Sequence, residues 1–224
     1  VSGGYDFEAV QSLIFETLIP ETERIVFHKG KPADFEFVSL YLSMMEMAWG
    51  CLAMLDKRLG YHSYPILRQI VETFIEMKVL ESDPSYLDNL RFRSARSKKK
   101  KFENAKKGNP YFSSLNSIQN LDNEISENES VIDKIEKKWK RRVSVEEKFR
   151  LAGMNEEYDG LYRLLSDHTH SNHGALVSRH VKFDAETTSF VAFNHGERSD
   201  FMEVTTSLHE YLSAASDLIR KKFL

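Results

Sequence analysis

The chain has 224 residues, 41% of them hydrophobic and 29% charged, with a net charge of −3. That length allows one sizeable core, or one domain with a large insertion, but hardly two complete enzymes. Five prolines and ten glycines argue against an all-β sandwich, and the lone Cys51 excludes an internal disulfide framework or a thiolate zinc cluster within one chain.

Phe7, Val10, Leu13, Ile14 and Leu18 recur at helical spacing and predict a first helix that ends near Pro20. A long second helix is predicted from Asp34 to about Leu59, striped by Phe37, Tyr41, Met44, Met45, Ala48, Leu52 and Leu55 and stopped by Gly60. Pro65 suits the first turn of a third helix that carries Leu67, Ile70, Val71, Phe74, Ile75, Met77 and Leu80. Ser82-Asp83-Pro84 reads as a stop and a new start. From there to Trp139 the composition turns to Lys, Asn, Ser and Glu, which predicts helices projecting from the core and joined near Gly108-Asn109-Pro110. Ser144 and Glu147 have capping-box spacing and open a short helix that closes at Gly153. A further helix is predicted from about Asn155 past His170. Val181–Phe183 and Ser189–Phe193 read as a β-hairpin that Asn194-His195-Gly196 ends. A last amphipathic helix carries Phe201, Val204, Leu208, Tyr211, Leu212, Ala215, Leu218 and Ile219. The expected architecture is an all-α bundle, one domain over residues 1–224, with a small β-hairpin before the last helix and a long charged helical insertion at 85–142. No apolar run is expected to reach the roughly 20 residues of a bilayer span. No basic-then-apolar leader opens the chain either, so no membrane partner and a cytoplasmic location are expected. No glycine-rich phosphate loop occurs, and no cofactor is expected.

The net charge hides a segregation. The run from Arg91 to Lys107 holds nine Lys or Arg and one Glu, a local +8, which leaves −11 on the other 207 residues. A second basic run spans Lys134 to Arg142. Local concentration, not the total, sets the field that a polyanion meets. Arg91, Arg93, Arg96, Lys98, Lys99, Lys100 and Lys101 are therefore candidate nucleic-acid contacts, with Phe92, Phe102, Tyr111 and Trp139 as interleaved stacking groups. A plain solvated helical insertion accounts for the same charges.

Chemistry concentrates between Tyr158 and His180, where four of the eight histidines fall. At 100° per residue, Tyr158, Leu161, Tyr162 and Leu165 share one face and form the buried stripe. Arg163 lies away from that stripe, with His170 about 20° from it and Ser166 within about 80°, whereas His168 points about 140° away. The wheel favours an Arg163–Ser166–His170 constellation.

Arg163-Leu-Leu-Ser-Asp-His168-Thr-His170 resembles the R-x(4–6)-H motif of the HEPN superfamily, helical proteins that include metal-independent ribonucleases of toxin–antitoxin, CRISPR and phage-defence systems. His168 fits the shortest spacing and His170 the longest. Arg68 and Glu72 on an earlier helix, followed by Tyr162-Arg-Leu-Leu-Ser166 and His170, widen the likeness to an uncharacterised bacterial HEPN-like family over about residues 35–85 and 150–222. The resemblance implies an RNA-cleaving composite site built by a homodimer, with Arg163 and His170 catalytic, Ser166 or His168 beside them, and an antitoxin or defence-system partner protein. Arg68, Glu72, Asp167 and His173 are the supporting candidates. Arg68 and Glu72 are either a simple i,i+4 pair or groups that orient His170, and Arg163 can equally pair with Asp159 or Asp167. The histidine spacing matches no recognised zinc signature, so no metal centre is expected. A non-catalytic HEPN-like module that binds nucleic acid, nucleotide or a partner protein in a defence complex is the alternative.

Overall fold

The computed structural model describes residues 6–26, 30–118, 120–138, 143–170, 172–192 and 196–224. The protein is all-α apart from one small hairpin. Its helices are α1 (Phe7–Ser12), α2 (Ile19–Thr22), α3 (Pro32–Asp56), α4 (Ser63–Ser82), α5 (Leu87–Lys106), α6 (Leu121–Lys138), α7 (Val145–Leu151), α8 (Asn155–Glu157), α9 (Arg163–Thr169), α10 (His173–His180) and α11 (Met202–Phe223). Two segments widen into π-helix, Leu13–Leu18 between α1 and α2 and Tyr158–Tyr162 between α8 and α9.

The chain divides into two compact units, one of residues 1–81 and 145–224 and the other of residues 82–144. The core of the first is built from the apolar stripes of α3, α4 and α11. Phe37, Tyr41, Met44, Ala48 and Leu52 are buried on α3, Leu67, Ile70, Val71 and Met77 on α4, and Val204, Leu208, Leu212, Ala215 and Ile219 on α11. Asp6 caps α1 by accepting from the Ala9 amide at 2.9 Å. The first helix ends at Thr22, close to Pro20 as expected, after a π turn that bonds the Ile19 amide to the Ile14 carbonyl. Buried Glu21 on α2 accepts from Ser216 Oγ and from Arg220 Nε on α11, each at 2.6 Å, so this carboxylate is paired within the core.

Contrary to the sequence expectation, α3 is long and apolar enough by length and composition to cross a bilayer. One face of it, including Phe37, Tyr41, Ala48 and Leu52, is buried in the core. It ends at Asp56, before Gly60, because Arg58 takes a left-handed conformation (φ 57) and the Leu59 amide reaches back to the Met54 carbonyl at 2.8 Å. Gly60 serves another purpose: a Cβ there would overlap the ring of Phe201. Cys51 is buried, its thiol 3.6 Å from the Ser63 carbonyl, and burial pushes that thiol up to about 12.

In the second unit α5 and α6 pack antiparallel, with Lys99 Nζ 2.6 Å from Glu129 and Lys106 Nζ 2.5 Å from Asp122. Gly108 (φ 78) closes α5, and Asn109 caps the 3₁₀ segment Pro110–Ser117 that follows.

Near the C-terminal end, β1 (Val181–Phe183) and β2 (Thr188–Phe190) pair antiparallel with Val181 opposite Phe190. The Asp184 amide donates to the Thr187 carbonyl and closes the turn. The expected end of the hairpin at Asn194-His195 lies outside the described residues, as do Trp139 and Arg142 of the second basic run.

Candidate functional site

The helix predicted to run past His170 ends there. The His170 amide still bonds to the Ser166 carbonyl, but the backbone leaves helical geometry (φ −96, ψ 15). Asn172 then caps a new helix, α10, by accepting from the Gly174 amide. Asp167 accepts from Asn172 Nδ2 at 3.1 Å and braces this break. His173 is the first residue of α10, beyond the break, so it does not continue the α9 face of Arg163 and His170.

The break places the His170 ring against α4. Arg68 Nη1 lies 2.9 Å from His170 Nε2. The same guanidinium donates from Nη2 to the Tyr162 hydroxyl at 2.6 Å and from Nε to Glu72 at 3.2 Å. Tyr162 in turn donates to the same Glu72 oxygen at 3.0 Å. Arg68 and Glu72 are thus both an i,i+4 pair and part of a constellation that reaches His170. Arginine has no acceptor, so Nε2 of His170 must accept, which fixes the neutral imidazole with its proton on Nδ1. A guanidinium carries five N–H donors; three are engaged in these contacts, which leaves two that they do not use.

Tyr162 was legible only as a core residue. It is buried, with its ring against Phe149 at 5.0 Å and stacked on Tyr158 at 5.5 Å, and Arg68 lies over its face. The available signal was its hydroxyl, since a tyrosine on a buried stripe needs a polar partner for its tip. Burial, with the Glu72 carboxylate alongside, pushes the phenol above its usual range, so it remains a donor.

The wheel's grouping of Arg163, Ser166 and His170 is not a bonded cluster. Residues seven apart share a face yet stand two turns, about 10.5 Å, from one another along the axis. Arg163 instead pairs with Asp159 at 3.2 Å and lies over the Tyr158 ring, with both charged side chains mostly exposed. Ser166 is half-buried on α9, and Leu164, next to Arg163, is exposed.

His168 belongs to a separate aromatic nest. Its ring stacks on Tyr64 at 4.3 Å and 18°, beside Tyr61, and Phe201 packs on both tyrosines. The Tyr64 hydroxyl donates to Glu203 at 2.6 Å. Burial, assisted by the Arg179 cation, holds the His168 pKa below the usual imidazole value. The two histidines that fit the motif spacing therefore have different surroundings, and of the two it is His170 that has an arginine nitrogen at hydrogen-bond distance. Among the described residues no three His, Cys, Asp or Glu side chains converge as a metal site.

On the basic helix, Arg91, Arg96, Lys98, Lys100 and Lys101 are exposed, whereas Lys99 is engaged by Glu129 and Arg93 is half-buried. Phe92 is buried, because it falls on the packed face of α5, and is not a stacking group. Phe102 is half-buried, and Tyr111 is 91% exposed. The stacking role expected for Trp139 lies outside the described residues.

A family model, described as a family of unknown function (DUF5677), matches residues 35–190. The chain belongs to DUF5677. The DUF5677 match takes in Arg68, Glu72, Tyr162, Arg163 and His170, together with the whole basic helix, and stops before α11. No curated protein and no solved structure matches the chain.

Proposed function

We propose that this DUF5677 chain is a metal-independent endoribonuclease of the toxin or phage-defence type, acting in the cytoplasm as a HEPN-like homodimer. The observation that carries the reading is the 2.9 Å contact between Arg68 and His170 at an exposed edge. RNA cleavage without a metal needs a proton-transfer group with a pKa near neutrality and fixed cationic donors for the charge that develops on phosphorus. In this scheme the scissile phosphate takes the free donors of Arg68 and draws the guanidinium off Nε2. His170 then removes the proton from the ribose 2′-hydroxyl, whose oxygen attacks phosphorus while the P–O5′ bond breaks and the leaving 5′-oxygen takes up a proton from water. The products are a 2′,3′-cyclic phosphate and a 5′-hydroxyl. Glu72 and Tyr162 keep Arg68 in place. Arg163, exposed two turns from His170, is the cation that a second protomer would meet across a two-fold axis.

Purified protein is expected to cut single-stranded RNA in EDTA, and His170→Ala and Arg68→Ala are each expected to abolish cutting. Undiminished cutting by His170→Ala would refute the assignment.

The exposed cations of α5 support a second reading, RNA binding without cleavage, because five of the seven basic candidates face solvent. Salt-sensitive RNA binding with no product in EDTA would establish it in place of the first.

A further inference from the structure

A groove of about 340 Å³ runs between the π-widened first helix and α3, lined by Ile14, Phe15, Ile19, Leu42 and Trp49, with Glu46 beside them. Four of these large apolar side chains face water: Phe15 is 45%, Trp49 44%, Leu42 39% and Ile19 38% exposed. Phe15 and Trp49 meet edge to face at 5.1 Å, so an aromatic contact holds the two walls in register. The π turn at Leu13–Leu18 forms one wall, and π turns are rare and recur at functional sites.

The two segments that wall the groove bring acid and no base of their own: neither Asp6–Glu23 nor Pro32–Asp56 contains a Lys or Arg, and Glu16 and Glu46 are exposed on them, whereas Glu8 is paired with Arg198. We propose that this groove docks the apolar face of a basic amphipathic helix supplied by a partner protein. Apolar side chains at i, i+4 and i+7 of that helix would occupy the groove between Phe15, Leu42 and Trp49, and flanking Lys or Arg would meet Glu16 and Glu46. A second copy of this chain is disfavoured as occupant, since a two-fold axis would set each acidic rim against its own image. An anionic bilayer is disfavoured for the same reason.

The test uses the full chain with Trp139→Phe, which leaves Trp49 as the single tryptophan and a reporter inside the groove. The probes are an amphipathic helical peptide of Leu and Lys and its counterpart of Leu and Glu. The Leu/Lys peptide is expected to shift Trp49 emission saturably, and the Leu/Glu peptide to leave it unchanged. Leu42→Asp should abolish the shift, and Glu46→Lys should weaken binding by about tenfold. Circular dichroism identifies any variant that has lost its helices, and Ser43→Asp, on the exposed side of α3 next to Leu42, serves as a folded fallback. Equal response to both peptides, no response at Trp49, or unchanged binding in folded Leu42→Asp and Glu46→Lys proteins would each overturn the proposal. So would concentration-dependent dimerisation, or binding to anionic vesicles, that shields Trp49 without peptide. None of these readouts depends on RNA cleavage.

Discussion

Arg68 and His170 stand 102 positions apart in the chain, yet Nη1 of one lies 2.9 Å from Nε2 of the other. Because the guanidinium can only donate, this contact selects the Nδ1–H tautomer of His170. Arg68→Gln should release that selection, and ¹⁵N-detected imidazole NMR should show the His170 tautomers mixing. The same variant leaves Glu72 and the Tyr162 hydroxyl short of a partner in a half-buried setting, so urea unfolding should register a loss of about 1–2 kcal/mol.

Arg163→Ala should behave differently. Its pair with Asp159 is exposed, and such i,i+4 pairs contribute about 0.3–0.5 kcal/mol. Unfolding midpoints should therefore stay close to those of the parent protein. Any loss of RNA cleavage in this variant then reports on the site and not on folding.

Glu76 and Lys148 form a buried pair at 2.6 Å that ties α4 to α7. Removing the carboxylate strands the buried Lys148 ammonium, and Glu76→Leu alone should cost about 3–5 kcal/mol in a denaturant titration. Combining it with Lys148→Met should recover most of that loss. A double variant as unstable as the single one would show that the pair is not what fixes α7.

Stability should fall as the solution is acidified through the range just below pH 6.5. His168 has a folded pKa held down by burial and by Arg179, so the unfolded chain binds its proton first. The stabilising contribution is complete above the unfolded value and is lost as pH drops from there through the folded one. His209, also lowered by burial, adds in the same direction. Thermal melts at pH 7.5 and 5.5 should show a smaller difference in His168→Phe than in the parent, and an identical difference would contradict the assignment.

Charge reversal at Lys98, Lys100 and Lys101 should weaken RNA binding and flatten its dependence on salt, since these side chains are exposed. Reversal at Lys99 should instead loosen the α5–α6 pairing, because its ammonium already meets Glu129. Hydrogen exchange of α6 separates the two effects.

The helical fold was legible because its apolar periods are strong on α3, α4 and α11, and the hairpin strands were readable from a short alternating run. Helix ends were less so. Gly60 has the look of a stop, but the left-handed residue is Arg58, and the glycine is needed by a ring 141 positions away. The candidate site was half legible. The motif spacing drew attention to His170, and the wider resemblance drew it to Arg68 and Glu72, whose i,i+4 spacing by itself reads only as an intrahelical pair. A wheel records angle and not distance along the axis, so it joined Arg163 to His170 and could not see Tyr162 as the hydroxyl between Arg68 and Glu72.

The π turn at Tyr158–Tyr162 also sets an angle. Such a turn is an α-helix that has absorbed one residue too many for its pitch. Removing one residue, for example Gly160, would restore the α pitch and turn everything upstream by about 100° relative to α9. Asp159 would then stand three positions before Arg163 instead of four and still reach it. The extra residue therefore governs how the chain before it meets α9, and leaves the ion pair where it is.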